Sequence, residues 1–156
     1  MTDLNFEDIV GRYFNLNLKK DNYRIYVEEA GQGTPLLCLH TAGSDGRQFR
    51  HILNDKRITN NYRVIVFDLP WHGKSNPPEG YELNDYKLTT ELYKEIIMSF
   101  CKQYKLIDPV IMGCSMGGRV VLHLALEHGN FFKAVIALEG ADKLEPYYDL
   151  DWLYRP

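Results

Sequence analysis

The 156-residue chain predicts an α/β fold, a mostly parallel sheet with flanking helices, and three observations predict it. Short, wholly apolar runs alternate with stretches of helical periodicity, and glycine and proline punctuate the joins. The composition, 45% hydrophobic and 25% charged, is that of an ordinary globular domain. A strand apolar on both faces must be covered on both, and strands alternating with helices imply right-handed crossovers into a parallel sheet. A chain of this length buries roughly 70% of its extended surface, enough for one core.

The elements follow in order. Tyr13 to Leu18 and Tyr23 to Glu28 alternate as an antiparallel pair, with Lys20-Asp21-Asn22 as the turn. Pro35 to His40 is the first covered strand. Gly46 to Asn54 reads as a short helix carrying Phe49, Ile52 and Leu53 on one side. Tyr62 to Asp68 is the second covered strand, followed by a loop broken at Pro70, Gly73, Pro77, Pro78 and Gly80. Leu88, Leu92, Ile96, Ile97 and Phe100 recur at helical spacing, which predicts a helix over Lys87 to Tyr104. Pro109 to Gly113 is a third strand, Met116 to Glu127 a helix, and Lys133 to Leu138 a fourth covered strand.

Composition narrows the function. Eighteen basic and twenty-one acidic residues give a net charge of -3, so the basic field that nucleic-acid binding requires is missing. The longest basic run is Lys19-Lys20. The first eight residues have no basic segment leading into an apolar one, and no run approaches the ~20 apolar residues of a membrane span. Cys38, Cys101 and Cys114 have unpatterned spacings and read as reduced thiols. The expectation is a cytoplasmic protein acting on a small molecule, with no nucleic-acid or membrane partner, no cofactor and no metal.

Ligands of parallel sheets sit where strands end, so the residues after each strand matter most. After the third strand comes Gly113-Cys114-Ser115-Met116-Gly117-Gly118, with a helical pattern directly behind it. This is the strand-to-helix turn that lifts a serine hydroxyl above a sheet, its glycines needed where strand and helix approach closely. Ser115 and its neighbouring amides face the positive end of the helix dipole, and the Met116 N–H is placed to bind an oxyanion. His123 and His128 fall on or just past that helix and His51 on another, so they read as surface or packing residues.

Three motifs in order resemble the N-terminal portion of an α/β-hydrolase-fold enzyme, over about residues 10 to 140: Leu39-His40-Thr41-Ala42-Gly43, Asp68-Leu69-Pro70-Trp71-His72-Gly73-Lys74-Ser75, and the Ser115 turn. The resemblance implies that Ser115 is the nucleophile and that Ala42, two past the strand-ending histidine, gives the second oxyanion N–H. Thr41 stands where the family usually has glycine, and Trp71 where its second motif has its first glycine. His40 would order its loop, and Asp68 to Ser75 would be structural.

In that family serine, acid and histidine follow in this order, and Glu139 at a strand end is one candidate acid; the commoner place is one strand later. The catalytic histidine follows the last strand, which this chain does not reach. The resemblance therefore divides the chain into 1–138, the N-terminal part of the hydrolase core without its last strands, and 139–156, the start of a lid, rich in Tyr147, Tyr148, Trp152 and Tyr154 among Asp142, Glu145, Asp149 and Asp151.

It further implies a serine hydrolase acting on an ester-like or other activated carbonyl through an acyl-enzyme, with a small-molecule acyl substrate. The catalytic base would come from the C-terminal remainder of the same protein, so this stretch alone would be inactive and prone to self-association. The alternatives on the same scaffold are a non-catalytic ligand-binding or receptor module, a perhydrolase, a carbon–carbon hydrolase and an acyltransferase.

Overall fold

In the computed structural model, which describes residues 6–19, 21–83 and 87–140, six strands form one sheet. They are β1 (Val10–Leu18), β2 (Asp21–Ala30), β3 (Thr34–Leu39), β4 (Tyr62–Phe67), β5 (Val110–Cys114) and β6 (Ala134–Leu138), in spatial order β1-β2-β4-β3-β5-β6. β1 pairs antiparallel with β2 and β2 with β4, while β4, β3, β5 and β6 run parallel. The helices are α1 (Arg50–Asn54), α2 (Lys56–Thr59), α3 (Thr90–Gln103) and α4 (Met116–His128). The mostly parallel sheet with flanking helices is thus as expected.

Alternation along the central strands decides the layers, because successive side chains of a strand point to opposite faces. Leu37, Leu39, Ile65, Phe67 and Ile111 pack in one cluster with Tyr93, Ile96, Ile97 and Phe100 of α3 and Val120, Val121 and Leu124 of α4. Leu36, Cys38, Val64, Val66, Val110 and Met112 form the opposite cluster with Phe49 and Leu53. Each fully buried Leu, Ile or Phe contributes about 1.5–3 kcal/mol relative to exposure.

Thr89 starts α3, its hydroxyl accepting the Leu92 N–H at 3.1 Å. The buried ammonium of Lys94 ties that helix to α4 by donating to Glu127 at 2.6 Å, and it also pairs with Glu91 at 2.9 Å.

Several elements differ from expectation. The first hairpin is tighter, since Asp21 and Asn22 belong to β2, opposite Leu18 and Asn17, and the reversal falls at Lys19, whose φ is 55°. The helix expected over Gly46 to Asn54 is a 3-10 turn, Gly46–Phe49, capped by Asp45 and followed by α1. Asp55 then caps a second short helix, α2, too brief to show a period in sequence. β6 is not covered like its neighbours: Ile136 and Leu138 remain 40% and 44% exposed, because β6 is the last strand of the described sheet. Of the segment 139–156, only Glu139 and Gly140 lie among the described residues.

Candidate active site

β5 ends at Cys114 and α4 begins at Met116, so Ser115 alone turns the chain from strand to helix. It does so at φ 52° and ψ -109°, a conformation that costs a non-glycine residue about 1–3 kcal/mol and persists only where the surroundings impose it. The surroundings are backbone. The Ser115 N–H donates to the Leu138 carbonyl at 2.8 Å, and the Ser115 carbonyl accepts from the Arg119 N–H at 2.8 Å. Strand and helix then approach too closely for side chains. A Cβ at Gly113 would stand 2.3 Å from the Gly117 carbonyl oxygen, and one at Gly117 would stand 2.6 Å from that of Leu39.

A serine before a helix ordinarily caps it by accepting an N–H from the first turn. Ser115 does not: its side chain is exposed, makes no cap hydrogen bond and has no hydrogen-bond partner among the described residues. Exposed Ser115 directly precedes the Met116 amide, one of the first-turn donors that have no intrahelical acceptor and lie at the positive end of the α4 dipole.

The loop after β3 comes up on the neighbouring strand. His40, fully buried, closes β3. The Leu69 N–H donates to its Nε2 at 3.1 Å, and its Nδ1 lies 2.9 Å from the Thr41 carbonyl, so the ring is neutral with the proton on Nδ1. Burial holds its pKa below the ordinary 6.5, against the opposing pull of the Thr41 carbonyl, Asp68 and Asp45, with nearby His72 adding to the lowering. His40 orders the loop and is spoken for at both nitrogens.

The Thr41 N–H donates to Gln48 Oε1 at 2.9 Å, and Ser44 N–H to the Thr41 carbonyl at 3.3 Å. These bonds fix the backbone on either side of exposed Ala42. Gln48 carries no signal in the sequence, because a lone glutamine belongs to no motif.

Asp68 to Ser75 is knit by polar groups. Asp68, buried, accepts the Gly46 and Lys74 N–H groups at 2.7 Å each. The Ser75 hydroxyl donates to the Asp68 carbonyl at 2.7 Å and accepts the Tyr26 N–H at 2.8 Å. Asp45 beside it is held down to about pKa 2, chiefly by hydrogen bonds from the Arg47 guanidinium. A cavity of about 280 Å³ lies here, lined by Tyr26, Glu28, Asp45, Arg47, Asp68 and Lys74 among others and not by Ser115. Its charges are already paired, Arg47 with Asp45 at 2.7 Å and Lys74 with Glu28 at 3.7 Å.

Glu139 follows directly on Leu138, whose carbonyl receives the Ser115 N–H, and it too has positive φ, 51°. Gly140 is clamped against α4: a Cβ there would meet the Gly118 carbonyl carbon at 2.6 Å. Exposed Glu139 therefore stands at the end of the strand adjoining Ser115. His51 and His128 are exposed and His123 half-buried, and none of them bonds to the Ser115 hydroxyl. Cys38, Cys101 and Cys114 are free, and burial pushes the Cys38 and Cys101 thiols up to about 12. Among the described residues, no cluster of His, Cys, Asp or Glu is arranged to hold a metal, and no helix is long and apolar enough to cross a membrane. The aromatic and acidic residues noted from Asp142 to Tyr154 lie outside the described residues.

A strand, a strained serine and a helix set beside a histidine-closed loop define the site of one large class. Residues 34–155 match the family model of the alpha/beta hydrolase fold, and the chain belongs to that family. It is 25% identical over 119 residues to the pimeloyl-[acyl-carrier protein] methyl ester esterase of Vibrio vulnificus (strain YJ016), covering 76% of this chain and 42% of the relative. It is 33% identical over 95 residues to the magnesium-chelatase 30 kDa subunit of Rhodobacter capsulatus, covering 61% of this chain and 31% of that one.

The crystal structure of the epoxide hydrolase VrEH1 from Vigna radiata superposes with a TM-score of 0.74 at 21% identity, over 94% of this chain and 46% of that one, a likeness of fold. The chain spans less than half the length of these proteins.

Proposed function

We propose that the full-length protein is a serine hydrolase of ester-like or other activated carbonyl compounds, with Ser115 as nucleophile. The observation that supports this most is the strained, exposed Ser115, whose hydroxyl serves neither cap nor core. Its Oγ attacks the carbonyl carbon, and a histidine contributed by the remainder of the protein takes the proton. The negative charge that develops on the carbonyl oxygen meets the N–H groups of Met116 and Ala42. Collapse of the tetrahedral species expels the leaving group, which takes the proton from the histidine, and water then releases the acid from the acyl-enzyme.

Glu139 is the carboxylate we assign to orient that histidine, on its place at the end of the strand adjoining the nucleophile. The half-exposed edge of β6 is where the remainder would dock, adding strands in parallel. Free cysteines accord with a cytosolic setting.

The test is fluorophosphonate labelling of the full-length protein followed by peptide mapping. A covalent adduct on Ser115 is expected. Labelling of another residue, or none, overturns the reading, and ligand binding without turnover would mark a non-catalytic module instead.

A further inference from the structure

Trp71 occupies a position built for glycine. Its φ is 66°, in the left-handed region where a bulky side chain is a genuine outlier. The turn imposes that conformation: the Trp71 N–H donates to the Asn76 carbonyl at 3.1 Å, and His72 N–H to that of Leu69 at 2.9 Å. Glycine would meet the same bonds without strain. Burial offsets only part of the cost, since Trp71 is 49% exposed. Its ring meets that of Tyr81, itself 38% exposed, edge to face, with centroids 4.9 Å apart.

Strain retained in this way collects at ligand sites, and the fold puts this aromatic pair on the edge that carries Ser115. β4, β3 and β5 are consecutive parallel strands, so the turns after β4 and β5 rise on one edge from strands about 10 Å apart, two strand spacings. His40 joins them: Leu69, two residues before Trp71, binds its ring, while Gly117 of α4 presses on the Leu39 and His40 carbonyls.

We infer that Trp71 and Tyr81 form the acyl-side specificity element of the hydrolase, taking an uncharged aryl ring tethered to the scissile carbonyl by a short methylene chain. A ring on such a tether reaches across the two strand spacings that separate the strands leading into these turns, and offset or edge-to-face contact with exposed aromatics selects planarity. Exposed Glu79 and Glu82 flank Tyr81, while Lys74 is engaged by Tyr26 and Glu28 and Arg24 by the Asn76 side chain, so an anionic ring substituent is disfavoured.

This rests on the nucleophile reading, and the test keeps the two apart. In the full-length protein, kcat/KM is measured for ethyl 4-phenylbutyrate, ethyl 4-cyclohexylbutyrate and ethyl butyrate. The phenyl ester is expected to be preferred over both others. Trp71→Gly, which also relieves the strain, lowers the phenylbutyrate-to-butyrate ratio at least tenfold, as does Trp71→Asn, a second residue that tolerates positive φ.

A merely structural Trp71 would move all three esters together, and an unchanged ratio in the variants overturns the inference. Binding of 4-phenylbutyramide to the Ser115→Ala protein, followed by saturation-transfer NMR, reads the element without turnover. Binding at least tenfold weaker in the Ser115→Ala, Trp71→Gly double variant supports it and equal binding overturns it, even if no ester is hydrolysed and Ser115 fails to label.

Discussion

Ser75 and Ser115 both sit in turns at the carboxyl edge of the sheet, yet their hydroxyls have opposite fates. Ser75 is buried, and its Oγ donates to the Asp68 carbonyl and accepts from the Tyr26 N–H. Ser115 is exposed, its backbone is strained, and its Oγ bonds to nothing among the described residues. Polar side chains hold the first turn together. Close backbone approach holds the second, through glycines where an added Cβ would collide. The hydroxyl that serves cohesion is saturated by the protein, whereas the one proposed as nucleophile is left free by a scaffold that does not need it.

The sharpest way to break this contrast is to remove each hydroxyl in turn in the full-length protein. Ser115→Ala should cut ester hydrolysis by on the order of 10⁴-fold or more. Its melting temperature should stay unchanged, because no hydrogen bond is lost. Ser75→Ala should do the reverse, leaving chemistry largely intact in the folded fraction. It should cost about 1–3 kcal/mol in denaturant titration, because it strands a half-buried N–H and a buried carbonyl. Equal destabilisation by the two changes would contradict the division of labour.

Next in size is Gly113→Ala. The added methyl would have to stand 2.3 Å from the Gly117 carbonyl oxygen, and that neighbour is backbone, not a flexible side-chain end. Chemical denaturation should show a loss of more than about 3 kcal/mol, with activity falling as the Ser115 turn shifts. A fully active, equally stable variant would mean that close backbone approach does not hold Ser115 in place.

The same contrast explains what could be read from sequence. The strand-to-helix turn at Ser115 was legible because glycine, serine and glycine between an apolar strand and a helix can satisfy few other geometries. The central strands were legible because Leu36–Leu39 and Val64–Phe67 are unbroken apolar runs, buried on both faces. The four-residue α2 left no period to detect, and the starts of the 3-10 turn and of α2 are set by caps at Asp45 and Asp55. The exposure of β6 depends on what lies beside it in space, which no run of its own residues encodes. Trp71 was visible as a departure from a glycine position, but its positive φ and its contact with Tyr81 depend on the turn and a residue ten positions away.

The smallest effect concerns His40, which links the two turns and can break both by taking up a proton. It is fully buried and neutral, with Nε2 accepting from Leu69 N–H and Nδ1–H directed at the Thr41 carbonyl. Protonation of Nε2 would abolish its acceptor and set a charge in an apolar strand end, which is why burial lowers the pKa from 6.5. In the unfolded chain the ring titrates normally, so between the lowered folded value and 6.5 the unfolded state binds more protons.

Stability is therefore full above pH 6.5 and declines as pH falls through that value, by at most about 1.4 kcal/mol per pH unit for one group. The Asp45–Arg47 pair does not enter this window, since a carboxylate held near pKa 2 loses its contribution only as pH drops through 3.8. Melting curves from pH 7.5 to 5 should show the decline, and His40→Asn should flatten it while lowering stability at pH 7.5 through the altered bond to Leu69. An unchanged slope in that variant would show that the proton is taken up elsewhere, and that His40 is not the element through which acid loosens the Leu69 and Ser115 turns together.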